Sequence, residues 1–230
     1  MARKSIGETD RPKPEAPRAY RSALRERQAA DTRRRVVAAA AELFAALGYR
    51  QTTLAKVAEA AGVSVETVQA QGSKASLMIA AVEFAAFGQI GDVSILDMDV
   101  GRRFVAIADR DEAIAFFVQE QTAVHERSGL ITRALFGAAA SDPELDTYLG
   151  ELLAGVSRQI RRLLEVCRER EWLRSDVEFD ELVATTVVIA NVETYFRLVH
   201  REGWTPDAFR EWFRRMLRES VFVGSGTPPR

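Results

Sequence analysis

Residues 54–71 read LAKVAEAAGVSVETVQAQ, and the fold turns on this stretch. Leu54, Val57 and Ala58 fall on one helical face after the Thr52-Thr53 pair, and Gly62 stops the helix. Gly62 permits the tight turn that must follow, because it carries no Cβ. Ser64 is a strong cap for a third helix over about residues 65–71, and Gly72 closes that helix in a left-handed conformation. Ala58 is small where the two helices cross. Val57, Ala61, Val63 and Val68 form the apolar seam between them. This is the spacing of a helix–turn–helix. A helix held this way can lay its N-terminal residues Ser64, Val65, Glu66 and Thr67 against base edges in a major groove, with Gln69 a further candidate for DNA contact. An αα-corner that touches no DNA also favours Ala, Gly and Ser at these places.

The flanks extend the motif. From Asp31 to Leu47, Val37, Ala40, Ala41, Phe44 and Leu47 repeat at the i, i+3, i+4, i+7 spacing of an amphipathic helix. Asp31 reads as its cap and Gly48 as its end, with Arg33 and Arg34 on the opposite face. Ser73 caps a fourth helix through Leu77, Ala80, Ala81, Phe84 and Phe87. Thr53 at the start of the second helix, and Ser73 with Lys74 at the start of the fourth, offer anchors for phosphates. Arg33 adds a cation from the first helix.

Charge separates along the chain. The protein has 230 residues and a formal net charge of −1. Residues 1–75 hold 14 Lys+Arg against 8 Asp+Glu, a net +6, and the remainder holds 18 against 25, a net −7. A basic front suits a polyanion. Within residues 37–75, however, Arg50, Lys56 and Lys74 are matched by Glu42, Glu59 and Glu66. The positive excess therefore lies in residues 1–28, read as a flexible basic arm with Pro12, Pro14 and Pro17, and in the first helix.

The single Cys167 excludes an intramolecular disulfide and any multi-cysteine metal site. No run approaches about 18 apolar residues, so no membrane span is expected. The polar N-terminus lacks the apolar core of a secretory signal, which points to the cytoplasm. After a less periodic stretch at 89–110, long helices dominate. Residues 110–140 form one helix, or two joined near Gly129. Asp142-Pro143 starts another, with Leu145, Leu149, Leu152, Val156, Ile160, Leu163, Leu164 and Cys167 at helical spacing. The next runs from about Phe179 to His200, and Thr205-Pro206 opens the last. The expected fold is all-α. A helix–turn–helix domain at 29–75 precedes a helical body at 76–222 and a disordered tail at 223–230.

The chain resembles the TetR family of bacterial transcriptional regulators. The resemblance rests on RRRVVAAAAELFAALGYRQTTLAKVAEAAGVSVETV at 33–68 and GSKASL at 72–77. ASDPEL at 140–145, ETYFRLV at 193–199 and GWTPDAFREWF at 203–213 look like an actinobacterial-type branch of it. The resemblance implies a homodimer joined through the last two long helices and bound to double-stranded DNA at a palindromic operator. It also implies a small-molecule effector in the C-terminal domain that releases a repressor from DNA. Half-sites would lie about 34–36 Å apart.

One stretch departs from the family pattern. The recognition helix commonly ends Gly-Thr-Leu-Tyr-x-Tyr/His-Phe, and here Glu66, Thr67, Val68, Gln69, Ala70, Gln71 and Gly72 stand there. Either Glu66 accepts from a cytosine amino group or the protein binds DNA more weakly than its relatives. An effector pocket is expected among the middle helices, with Phe116, Gln119, Glu120, Phe136, Asn191 and Glu193 as candidates, joined by Phe117. No catalytic residue, metal ligand or cofactor is assigned. His125 and His200 lack metal-ligand spacing, Asp92, Asp97 and Asp99 fit no metal loop, and Cys167 reads as a buried thiol. Trp204 and Trp212 read as packing residues. The competing class is an all-α ligand-binding protein or enzyme without DNA-binding activity. Against an enzyme, there is no Gly-rich phosphate loop, nucleophile elbow or metal triad.

Overall fold

The structure, a computed structural model, describes residues 18–87 and 95–223, with side chains at 25–86 and 96–223. The chain divides into two compact units, residues 1–35 and 36–230. In the first unit, helix α1 (Arg18–Gln51) begins well before Asp31. Residues 18–28, expected in the flexible arm, are therefore helical. The reason is composition: from Arg18 to Leu47 no Pro or Gly interrupts a run rich in Ala, Arg, Leu, Glu and Gln. Asp31 lies inside the helix and pairs with Arg34 at 2.9 Å, so it is not a cap. Arg3, Lys4, Arg11, Lys13 and the three arm prolines lie outside the described residues, as does the tail at 224–230.

The second unit has two apolar cores. The first joins Val37, Ala40 and Phe44 of α1 to α2 (Leu54–Ala61), α3 (Val65–Gln69) and α4 (Lys74–Phe87). Ile131 and Leu135 of α6 (Arg110–Ala139) and Leu145 of α7 (Pro143–Glu169) complete it. The second core gathers Phe104 of α5 (Asp99–Ala106), Ile114 and Val118 of α6, and Ile160, Leu163, Leu164 and Cys167 of α7. It adds Leu182 and Val183 of α8 (Phe179–Ile189), Tyr195 of α9 (Val192–Tyr195), and Phe209, Phe213 and Leu217 of α10 (Pro206–Ser220). Helix α6 is one uninterrupted element of 30 residues, so residues 110–140 need no joint at Gly129. At 1.5 Å per residue it spans about 45 Å and threads both cores.

The helix expected over 179–200 is broken. After α8, Asn191 turns its side chain onto the Glu193 amide, which donates at 2.7 Å, and starts α9. Asn favours this local bond over continued helix. Helix α9 then runs into a π-helical turn at Phe196–Arg201. Val156, expected on the buried face of α7, is exposed. Among the described residues the only extended pairing is an isolated bridge between Leu173 and Phe222.

Candidate DNA-binding surface

The geometry of the motif follows from a chain of caps. Gly48 adopts φ 74°, which ends the regular part of α1. Thr52 is buried, and its hydroxyl reaches back to the carbonyls of Gly48 at 2.9 Å and Leu43 at 3.1 Å. This residue, absent from the expected site, fixes the angle at which the chain leaves α1. Thr53 then caps α2, its hydroxyl accepting from the Lys56 amide at 3.2 Å. At the other end Gly62 is left-handed, with φ 64°, and its amide donates to the carbonyls of Ala58 and Glu59. The Val63 amide donates to the Ala58 carbonyl at 3.0 Å, so the turn satisfies the α2 carbonyls and aims the chain into α3.

Ser64 caps α3. Its hydroxyl accepts from the Thr67 amide at 3.2 Å and lies 3.1 Å from the Thr67 hydroxyl. Buried Val57, Ala58, Ala61 and Val68 form the seam, with Val63 half-buried beside them. Helix α3 ends at Gln69, two residues short of the expected end, because the chain must turn at Gly72 with φ 129°. A Cβ on Gly72 would also lie 3.1 Å from the Ser76 Cβ. At Gly72, where the family pattern has Phe, the backbone φ therefore favours glycine and the approach to Ser76 is tight for any side chain.

The expected contact residues divide by exposure. Ser64, Glu66 and Gln69 are exposed at α3, Thr67 is half-buried, and Thr53 is exposed at α2. Val65 is half-buried against the first core, so part of its side chain serves packing. The Glu66 carboxyl is held below its usual range, first by its own backbone amide and then by Ser64. It is a fixed negative charge at the start of α3. Arg33 is exposed in the separate first unit. Lys74 is half-buried with its ammonium 4.3 Å from the centre of the Tyr49 ring, and burial lowers its pKa. Ser73 caps α4 through the Ser76 amide at 2.9 Å.

The expected effector residues fall into separate places. Phe116 lies under the Arg103 guanidinium at 4.8 Å, Glu120 faces the same arginine at 3.8 Å, and Gln119 is exposed. Phe136 and Glu193 line a cleft of about 120 Å³ with Gly129, Arg133, Val192 and Phe196. Phe116 and Phe136 are twenty residues apart on one helix, about 30 Å, so one small molecule cannot touch both. Asn191 is a helix cap. A different site sits in the second core: an apolar void of about 20 Å³ lined by Phe104, Ile114, Phe117, Cys167, Thr186 and neighbouring leucines. Of these, Phe117 is an expected pocket residue, and Cys167 and the α7 leucines are expected on a buried helical face. Phe104, Ile114 and Thr186 lie on three different helices with the ordinary spacing of core residues.

Residues 36–81 match the model of the family described as bacterial regulatory proteins, tetR family. The segment that carries the helix–turn–helix is thus similar to the tetR family of bacterial regulatory proteins. Solved structures carry the same fold over most of their length. A TetR transcriptional regulator from Chloroflexus aurantiacus J-10-FL is 21% identical with a TM-score of 0.61, covering 86% of this chain and 100% of its own. A transcriptional regulator from Saccharomonospora viridis, solved in complex with choline, is 16% identical with a TM-score of 0.67, covering 84% and 99%. SmeT, solved as a triclosan complex, is 16% identical with a TM-score of 0.64, covering 87% and 98%. No curated protein matches the sequence. The matched residues include α2 and α3, the two helices of the helix–turn–helix.

Proposed function

We propose that this protein is a cytoplasmic TetR-family repressor that binds a palindromic operator as a homodimer and leaves it when an apolar small molecule enters the second core. The observation that carries the DNA reading is α3, which holds Ser64 and Glu66 exposed at its capped N-terminus and Gln69 exposed at its last residue, on a packed seam. Ser64, Val65, Glu66, Thr67 and Gln69 are the proposed base-facing set, with Thr53 and Lys74 on phosphates; Arg33 supplies charge from the first unit.

The character of the second core supports an apolar effector. Its void is lined by aromatic and aliphatic side chains, and the Thr186 hydroxyl is committed to the Leu182 carbonyl at 2.8 Å. About 20 Å³ holds no more than a single water, so a ligand must spread the helices to enter. Spreading the second core moves α6, whose far end is built into the first core with α4. That supports the coupling between ligand and DNA.

For the dimer, Ala184 and Val188 are exposed on α8, Val188 at 65%, whereas the exposed residues of α10 are mainly charged. Helix α8 therefore carries the apolar part of the proposed interface. The protein acts by binding, without a catalytic step. Among the described residues no single helix is long and apolar enough to cross a membrane. The test is selection of duplexes from a random library followed by footprinting. Two symmetric half-sites about one helical turn apart are expected. A single unpaired footprint, or none, overturns the reading.

A further inference from the structure

The Tyr49 side chain sits at a junction between α1, α4 and α7. Its ring stacks on buried Phe44 with centroids 5.8 Å apart. The ammonium of Lys74 lies over the same ring at 4.3 Å. Its phenol donates to Asp142 Oδ2 at 2.8 Å, across 93 residues of sequence. Asp142 is the cap of α7: its other oxygen accepts from the amides of Glu144 at 3.1 Å and Leu145 at 3.4 Å. The same corner reaches α4 a second time, where Ser76 and Ser73 donate to the Glu144 carboxylate at 3.3 and 3.5 Å. Burial and Asp142 together raise the phenol's pKa, so it stays a donor throughout the physiological range.

A cation held over an aromatic face keeps its charge and its three N–H groups, because no carboxylate neutralises it. No ion pair to Lys74 is found among the described residues. The ring thus orients the ammonium while leaving it available to a phosphate. A carboxylate in the same place would compete with DNA.

We propose that Tyr49 and Asp142 are positioning residues for the Lys74 phosphate contact: Asp142 fixes the Tyr49 ring, and the ring fixes the direction of Lys74. This rests on Lys74 as a phosphate anchor. Its consequence is that the α6–α7 corner is tied to a backbone contact on DNA through one hydrogen bond and one cation–π contact. Movement of the corner moves the anchor without any change in α3.

The test measures affinity against salt for the full chain on a duplex selected from a random library. The variants are K74M, Y49F, D142N and the double variant K74M/Y49F. Y49F keeps the ring and removes only the hydroxyl. D142N keeps a cap oxygen for α7 and disturbs the acceptor facing the phenol. Losing one phosphate contact lowers the slope of log K against log salt by about 0.9. In the proposed homodimer each substitution falls on two copies, so K74M should lower the slope by about 1.8. Y49F and D142N should each lose at least half of that amount, with the double variant no lower than K74M alone. If K74M leaves the slope unchanged, Lys74 is not an anchor and the underlying reading fails with the proposal. If K74M lowers the slope but Y49F and D142N do not, the anchor stands and the positioning role is overturned. A loss of affinity in Y49F that leaves the slope untouched and adds to that of K74M marks a structural role and also overturns it.

Discussion

His125 is the most consequential buried polar group in the second unit, and its effect is calculable. It lies on α6 at 4% exposure, its ring 5.4 Å from that of Tyr195. Its Nε2 is 2.9 Å from the carbonyl of Ala190, at the break between α8 and α9. A carbonyl only accepts, so Nε2 carries a proton. The neighbouring Thr122 and Ser128 hydroxyls are spent on their own helix carbonyls at 2.7 and 2.8 Å. The adjacent carboxylate, Glu126, is held by Arg210 at 2.8 Å. Burial, only partly offset by the Ala190 hydrogen bond, lowers the pKa to about 4 from the usual 6.5.

A depressed histidine pKa means that the unfolded chain binds the proton first as pH falls. Stability is complete above about pH 6.5 and declines toward pH 4. With these two pKa values, His125 costs about 2 kcal/mol at pH 5 and about 3 kcal/mol at pH 4 relative to pH 7.5. The assay is urea unfolding at fixed protein concentration, at pH 7.5 and pH 5, for the wild type and H125Q. Glutamine keeps an amide donor for the Ala190 carbonyl and does not titrate. The wild type should lose about 2 kcal/mol more than the variant between the two pH values. Equal losses in both proteins would refute the assignment of this pH dependence to His125.

Other outcomes follow from single residues. G72A should destabilise by about 1–3 kcal/mol in thermal or urea unfolding, because its φ of 129° and the 3.1 Å approach to Ser76 both oppose a side chain. If Glu66 accepts from a cytosine amino group, E66G should change the selected DNA sequence at one position per half-site, at a cost of about 1–3 kcal/mol on the original site. Unchanged affinity and preference would reject the base-reading role. If α8 carries the proposed dimer interface, V188E should sediment as a monomer in analytical ultracentrifugation and bind selected DNA more weakly than the wild type. The Cys167 thiol, buried and pushed up to about 12, should react with a thiol reagent at pH 8 only as fast as the protein opens.

Much of the architecture was readable because its signals are local. Thr53, Ser64, Ser73, Asp142 and Thr205 each satisfy an amide two or three residues away, and each stood at a helix start in the sequence. Gly62 did the same for a helix end. The misread elements are those decided by competition. The segment 179–201 is apolar enough for one helix, but Asn191 and the His125 bond to the Ala190 carbonyl divide it. The start of α1 was placed too late because Asp31 can serve as a cap or as a partner of Arg34. The candidate sites were hardest. Phe116 and Phe136 share a helix but not a surface, while Phe104, Ile114 and Thr186 meet only because three helices converge. The Tyr49–Asp142 bond spans 93 residues, and neither residue alone announces it.

The central claim is that α3 and the anchors beside it bind duplex DNA. The most direct test is titration of the full chain against duplexes selected from a random library, at several salt concentrations. Saturable binding with two symmetric half-sites is predicted, with log K falling linearly as log salt rises. Selection that enriches no sequence, or an affinity indifferent to salt, would contradict it.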